Sequence, residues 1–233
     1  VKQEEKKMKS ILLKYAECFI MVLVFGLMAA NIAAIVGGIF WVGGGFKKVT
    51  AWALPELAEA QYELGLSYSI GEGVLQDFAV AAEWYRMAAE QGYAPAQYEL
   101  GYMYAWSKGV PEDFAEAAEW YRMAAEQGHA VAQYHLGVMY DTGDGVPEDA
   151  AEAAKWWRKA AYQGHASSQY MLGWMYLKGE GVPEDAVEAV KWFRKAADQG
   201  YATARLYLGR CYEHGWGVPV DEDEARKWYL ATE

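Results

Sequence analysis

The chain holds four histidines and two cysteines, residue types that bind metals or act as nucleophiles, and 32 carboxylates that could pair as acid and base. None is spaced for that work. His129 and His165 occupy one slot of a recurring pattern, which Tyr93 and Tyr201 fill in other copies, and so read as packing residues just past a helix end. His135 and His214 have no Cys or His at ligand spacing, so no metal is expected. Cys18 lies in an apolar run, and Cys211 takes a slot held elsewhere by Ser67, Met103, Met139 and Met175. Both read as small hydrophobes without a disulfide framework. The Gly-x-Gly pairs Gly71/Gly73, Gly143/Gly145, Gly179/Gly181 and Gly215/Gly217 join two helical stretches rather than a strand and a helix, so they are turns and not phosphate loops. Carboxylate pairs such as Glu112/Asp113 and Glu184/Asp185 read as helix caps. No catalytic residue and no cofactor are expected, and the chain does not read as an enzyme.

What positions these residues is a repeat. Leu-Gly recurs at Leu64/Gly65, Leu100/Gly101, Leu136/Gly137, Leu172/Gly173 and Leu208/Gly209, and a Trp recurs at Trp84, Trp120, Trp156, Trp192 and Trp228. A fixed period of 36 residues means stacked helical units, each burying its apolar face against its neighbours. The expected fold is all-α: a right-handed α-α superhelical solenoid of five helix-turn-helix repeats, preceded by one transmembrane helix. The repeats run over about 58–93, 94–129, 130–165, 166–201 and 202–233.

Within the third unit, Ala130 to about Asp141 forms helix A and about Ala150 to Tyr162 forms helix B. Asp149 is the expected N-cap of helix B, with Glu152 reaching back to complete a capping box. The pairs Asp113/Glu116, Asp185/Glu188 and Asp221/Glu224 repeat the arrangement, and only Asp77 lacks the acidic partner. Gly164 is placed to end helix B in a left-handed conformation. Gly137 in mid-helix costs about 1 kcal/mol relative to Ala. Its recurrence predicts a close approach of helix B, with Tyr134, Leu136, Tyr140 and Trp156 packed around the crossing.

Slots that stay fixed across the copies hold the fold, and slots that vary are free to bind. On helix A the varying slots are Glu63/Glu99/His135/Met171/Tyr207, Leu66/Tyr102/Val138/Trp174/Arg210 and Ile70/Trp106/Thr142/Lys178/His214, which fall on one helical face. With the A helices on the concave side, this face becomes a groove. The candidate partner-binding residues are Tyr102, Trp106, His135, Met171, Trp174, Tyr207 and Arg210, since aromatics and Arg anchor interfaces. The alternative for the same residues is repacking between adjacent units.

The runs A-x-A-Q-Y-x-L-G-x-M-Y, G-x-G-V-P-E-D and E-A-x-x-W-x-R-K-A-A-x-Q-G resemble Sel-like repeats, relatives of the tetratricopeptide repeat with a longer loop between the helices. The resemblance covers Leu57 to the C-terminus and implies protein-protein scaffolding in membrane-associated assembly, quality control, envelope biogenesis or signalling. Some secreted members carry a cysteine pair in each repeat and are linked to β-lactam binding. Those pairs are missing here, so that activity is not carried over.

Ahead of the repeats, Cys18 to Val42 carries no charge and would give roughly 37 Å of helix, enough to cross a bilayer. Tyr15, Phe40 and Trp41 sit like interfacial aromatics. The expected organisation is a tail over 1–14, a transmembrane helix over 15–42, a Gly-rich hinge and linker over 43–54, and the solenoid over 55–233. Glu17 reads as an interfacial carboxylate. Gly26, Ala30, Ala34 and Gly38, with Asn31 beside them, form a small-residue face for packing against another membrane helix. Five Lys precede the span and two follow, which orients the N-terminus to the cytoplasm and the repeats to a periplasm or lumen, most simply across a bacterial inner membrane. Net charge is -11, with 14 basic against 29 acidic residues beyond residue 50, which disfavours nucleic acid. The expected function is a membrane-anchored scaffold or accessory subunit that docks protein partners, integral membrane subunits of a complex among them. The competing reading is an envelope-facing glycan or peptidoglycan binder that stacks sugars on Trp106 and Trp174.

Overall fold

The computed structural model describes residues 39–42, 45–48 and 53–230. The packing face Gly26, Ala30, Asn31, Ala34 and Gly38, and the rest of the expected span up to residue 38, lie outside the described residues. Ile39–Val42, read from the sequence as the end of that helix, instead forms strand β1, paired antiparallel with β2, Gly45–Lys48. Ile-Phe-Trp-Val is rich in β-branched and aromatic residues, and two glycines separate it from its partner, the spacing of a tight hairpin. The expected hinge therefore contains a strand. No helix among the described residues is long and apolar enough to cross a membrane.

The repeat region is all-α. Five A helices, α1 Ala53–Ile70, α3 Ala94–Ala105, α5 Ala130–Thr142, α7 Ala166–Lys178 and α9 Ala202–His214, alternate with five B helices, α2 Phe78–Glu90, α4 Phe114–Glu126, α6 Ala150–Tyr162, α8 Ala186–Asp198 and α10 Glu222–Leu230. Contacts run between neighbours in sequence, with α3 to α9 each packed against the helix before it and the helix after it. The core repeats with the sequence. Ala96, Leu100 and Met103 of α3 are buried, as are their counterparts Ala132, Leu136 and Met139, and Ala204, Leu208 and Cys211. The B helices bury paired alanines such as Ala117/Ala118 and Ala124/Ala125, whose short side chains admit the neighbouring helix.

Each mid-helix glycine on an A helix is where its B helix comes closest. A Cβ on Gly137 would lie 2.5 Å from Trp157 Nε1, and one on Gly101 would lie 2.8 Å from the Tyr121 ring. The glycine prediction holds, but the residue at the crossing is Trp157, not Trp156. The fixed Trp does another job: Trp156 packs with Ala117, Tyr121 and Ala124 of α4 and with Leu136 of α5, closing the seam with the preceding repeat.

The Asp caps form as expected. Asp149 Oδ1 accepts from Ala151 N at 2.9 Å and Glu152 N at 3.0 Å. The reciprocal half of the capping box does not, because the Asp149 N–H is already donated to the Tyr140 carbonyl at 2.8 Å, a bond repeated in every unit. Glu152 turns to Lys155, and Glu188 to Lys191 at 2.8 Å. Gly164 is left-handed, at φ 89°.

Further contacts join neighbouring helices within and between the units. Gln133, 3% exposed, donates to the Ala125 carbonyl at the end of α4 (2.9 Å) and accepts from Gln163 at the end of α6 (2.8 Å). Gln97 and Gln169 do the same in their units. Arg122 and Arg158 reach forward to the hydroxyls of Tyr140 and Tyr176 at 3.2 and 3.1 Å. Gly145, at φ 71°, lies so close to the Phe114 carbonyl at the start of the previous B helix that no Cβ fits, and Gly109, Gly181 and Gly217 repeat the contact.

Candidate functional site

The A-helix face carries the varying slots, and its residues divide by burial. Trp106 is 61% exposed at the end of α3, and Arg210 on α9 is exposed. Tyr102, His135, Met171, Trp174 and Tyr207 are half-buried. Trp174 meets Tyr207 edge-on at 5.3 Å, and Tyr207 also packs near Tyr170 and Phe193, at 5.7 Å from each. Met171 packs against the cluster around Trp157. Trp106 and Arg210 are thus presented outward, while Met171, Trp174 and Tyr207 share their area between the face and the seam to the next unit.

Two neighbourhoods emerge. Over α7 and α9, Lys178 lies 4.9 Å from the Trp174 ring and Arg210 lies 5.2 Å from Tyr207, a basic and aromatic end. Over α3 and α5, the Tyr102 and Trp106 rings lie 6.0 Å apart, Lys108 sits 5.0 Å over Tyr102, and the His135 ring stacks on Tyr121 at 5.3 Å. Burial, with a smaller contribution from His165, pushes the His135 imidazole down to about 4, so it is neutral at pH 7. Glu99, in the same slot one repeat earlier, is half-buried, and burial raises its carboxyl while Lys108 pulls the other way. Glu99 belongs to a varying slot yet did not stand out in the sequence, because its burial follows from tertiary packing and not from spacing along the helix.

The two histidines read as packing do more than pack. Nδ1 of His129 accepts from Ala132 N at 3.2 Å and Nδ1 of His165 from Ser168 N at 3.3 Å, making each the N-cap of an A helix. An accepting Nδ1 must be unprotonated, and burial lowers both pKa values in the same sense. Cys211 is fully buried and its thiol is pushed up to about 11, so it is not a thiolate at neutral pH. Among the described residues, no three His, Cys, Asp or Glu groups converge as a metal site would require.

A repeat of helix pairs in this register defines a class, the α-α repeat scaffolds that present a face of variable residues on a fixed frame. Within that class, the Sel1 repeat model matches residues 58–93, 94–129, 130–165, 166–201 and 202–231, and the chain belongs to the Sel1 repeat family. Among solved structures, it is similar to a protective antigen of uropathogenic Escherichia coli displaying the same repeat fold, with 42% identity and a TM-score of 0.74 over 75% of this chain. The match spans 38% of that antigen's length. A Sel1 repeat protein from Oxalobacter formigenes is 37% identical with a TM-score of 0.73, over 79% of this chain and 73% of its own. No curated protein matches the chain.

Proposed function

We propose that the protein is a non-enzymatic scaffold that docks a protein partner on its A-helix face, with Tyr102, Trp106 and Arg210 as anchors. The observation that carries this is Trp106, a large indole left 61% exposed by a frame that buries every fixed aromatic of α4, α6 and α8. The family supports the scaffold reading, since Sel1 repeats stack into a helical frame of the kind that presents a docking surface. The N-terminal apolar run supports an anchor to a membrane, with the Lys asymmetry favouring a cytoplasmic N-terminus and a periplasmic repeat domain. Gly26, Ala30, Ala34 and Gly38, with Asn31, would then pack on a membrane subunit of the same complex. The test is co-purification of the full chain in mild detergent. Stoichiometric membrane subunits support the scaffold, and a lone protein that retains glycan affinity favours the sugar-binding reading. Replacing Trp106 and Arg210 by Ala should weaken the partner by about 2 kcal/mol or more without moving the melting temperature, because both side chains are exposed. Undiminished partner recovery overturns the assignment.

A further inference from the structure

The second repeat breaks the pattern of its four siblings at neighbouring positions on the A-helix face. In the slot that packs on the mid-helix glycine, polar atoms elsewhere are satisfied from within. The Tyr85 hydroxyl donates to Ser69 (3.3 Å), Trp157 Nε1 to the Tyr134 carbonyl (3.1 Å) and the Tyr229 hydroxyl to Glu213 (2.6 Å), while Phe193 has no polar atom. Tyr121, 1% exposed, has a buried hydroxyl with no hydrogen-bond partner. The slot that holds Ser69 and Glu213 is Ala105 in this unit, so the acceptor is missing. The case differs from buried Trp192 Nε1, also without a partner, where the acceptor Glu188 is present but turned to Lys191. The adjacent residues depart too. Trp106 is exposed, and Ser107 has φ 51°, the one positive-φ residue other than glycine among those described, in a slot that is glycine in the other four units. Backbone strain of this kind persists where the surroundings enforce it, and it gathers at binding sites.

Glu99 completes the group. It accepts no hydrogen bond and makes no ion pair among the described residues; its carboxylate lies close enough to the Tyr98 and Tyr121 hydroxyls to add to the rise in pKa that burial gives them, and Tyr102 and Trp106 follow it at i+3 and i+7, on the same face. Lys108 offsets the burial of this carboxylate only in part, without forming an ion pair, and a cation brought by a ligand and paired directly with it recovers the rest of that cost. The wider field agrees, since repeats one and two carry twelve acidic residues against three basic ones. We propose that this surface is the seat for an arginine side chain of the partner, its guanidinium paired with Glu99 and stacked on the Tyr102 and Trp106 rings. Arginine fits better than lysine because its planar fork pairs with a carboxylate while its face lies on an aromatic, whereas an ammonium is a hydrated point charge of the kind Lys108 already places over Tyr102. The inference rests on the A-helix face being the partner surface and names what that surface recognises.

The test titrates the full chain with two capped Gly-Ser heptapeptides, one with Arg and one with citrulline at the centre, following the Trp106 indole N–H by NMR. Citrulline keeps the shape and removes the charge. The Arg peptide should shift the Trp106 signal saturably, the citrulline peptide should bind about tenfold more weakly, and Glu99→Gln should lose about tenfold. Glu63→Gln, the exposed counterpart one repeat earlier, should stay within about twofold. Equal affinity for citrulline, unchanged affinity in Glu99→Gln, or no Trp106 shift with the Arg peptide overturns the proposal. The two readings fail separately. If Glu99 proves irrelevant while the Trp106/Arg210 variant still loses its co-purified subunit, the face stands and the arginine seat falls. If the peptide depends on Glu99 while that variant keeps its subunit, the seat stands and the docking assignment falls.

Discussion

Gly145 lies against the backbone carbonyl of Phe114, thirty-one positions earlier in the chain, with no room between them for a single added carbon. The contact places the turn of one repeat on the first residue of the previous repeat's B helix. Gly73, at the same slot in the first repeat, has φ 76° but nothing within 4 Å. Alanine at either position pays the left-handed backbone penalty of about 1–2 kcal/mol. Only Gly145→Ala also drives a methyl into backbone that cannot yield, adding about 1–3 kcal/mol. Denaturant titration should therefore show Gly145→Ala the more destabilised of the two, and equal losses would sink the stacking account.

The crossing at Gly137 makes a second prediction. Gly137→Ala should cost about 1–3 kcal/mol by overpacking against the Trp157 ring, despite the better helix propensity of alanine. Paired with Trp157→Phe, which removes the Nε1 atom nearest the new methyl and copies Phe193 of the fourth repeat, it should cost less than the two single changes summed. A double-mutant cycle by thermal melting reads this directly, and strict additivity would place the strain elsewhere.

Gln133→Leu tests the buried amide bridge. The change keeps roughly the same bulk but leaves the Gln163 amide and the second lone pair of the Ala125 carbonyl without their partner. Loss of about 1–3 kcal/mol is expected, the cost of leaving the buried Ala125 carbonyl short of a partner, since exposed Gln163 can turn to water. Hydrogen exchange should quicken first at the ends of α4 and α6, where those partners lie. Uniform acceleration across the repeats would mean the bridge has only a packing role.

Acid should loosen the array through His135. Its folded pKa, about 4, lies below the usual 6.5, so the unfolded chain binds the proton more readily. Stability from this group is whole above pH 6.5 and is lost as the pH falls toward 4, by at most about 3 kcal/mol at 1.4 kcal/mol per unit. His129 and His165 act in the same sense, while the raised carboxyl of Glu99 acts in the opposite one. His135→Met, copying Met171 in the same slot, should flatten the melting temperature between pH 6.5 and 4. A slope identical to the wild type would exclude His135 as its source.

The sequence and the structure agree where a rule is local and repeats in register. The period, the Asp caps, the left-handed Gly164 and the close approach at Gly137 all follow from residue type at fixed spacing. The misses are contacts that spacing alone does not resolve. Trp156 and Trp157 are adjacent aromatics on one helix, and deciding which meets Gly137 requires the rotation of α6 about its axis. The Asp149 N–H was already committed to Tyr140, nine residues back, so Glu152 had no donor to reach. On the A-helix face, periodicity grouped Trp106 with Trp174, but only the three-dimensional seam shows that Tyr207 half-covers the second and leaves the first open. Ile39–Val42 satisfied the hydropathy of a helix and the side-chain preferences of a strand together, and pairing with Gly45–Lys48 decided it.

The backward direction of the turn contacts bears on how the protein is made. Gly109, Gly145, Gly181 and Gly217 each rest on a helix that left the ribosome about thirty residues sooner, and Gln97, Gln133 and Gln169 each bond a carbonyl eight residues behind them. A nascent repeat thus finds these docking points already translated, while Arg122 and Arg158 wait only for Tyr140 and Tyr176 of the very next unit. Growth can proceed one unit at a time from the first, without the long-range search that exposes larger folds to aggregation during synthesis.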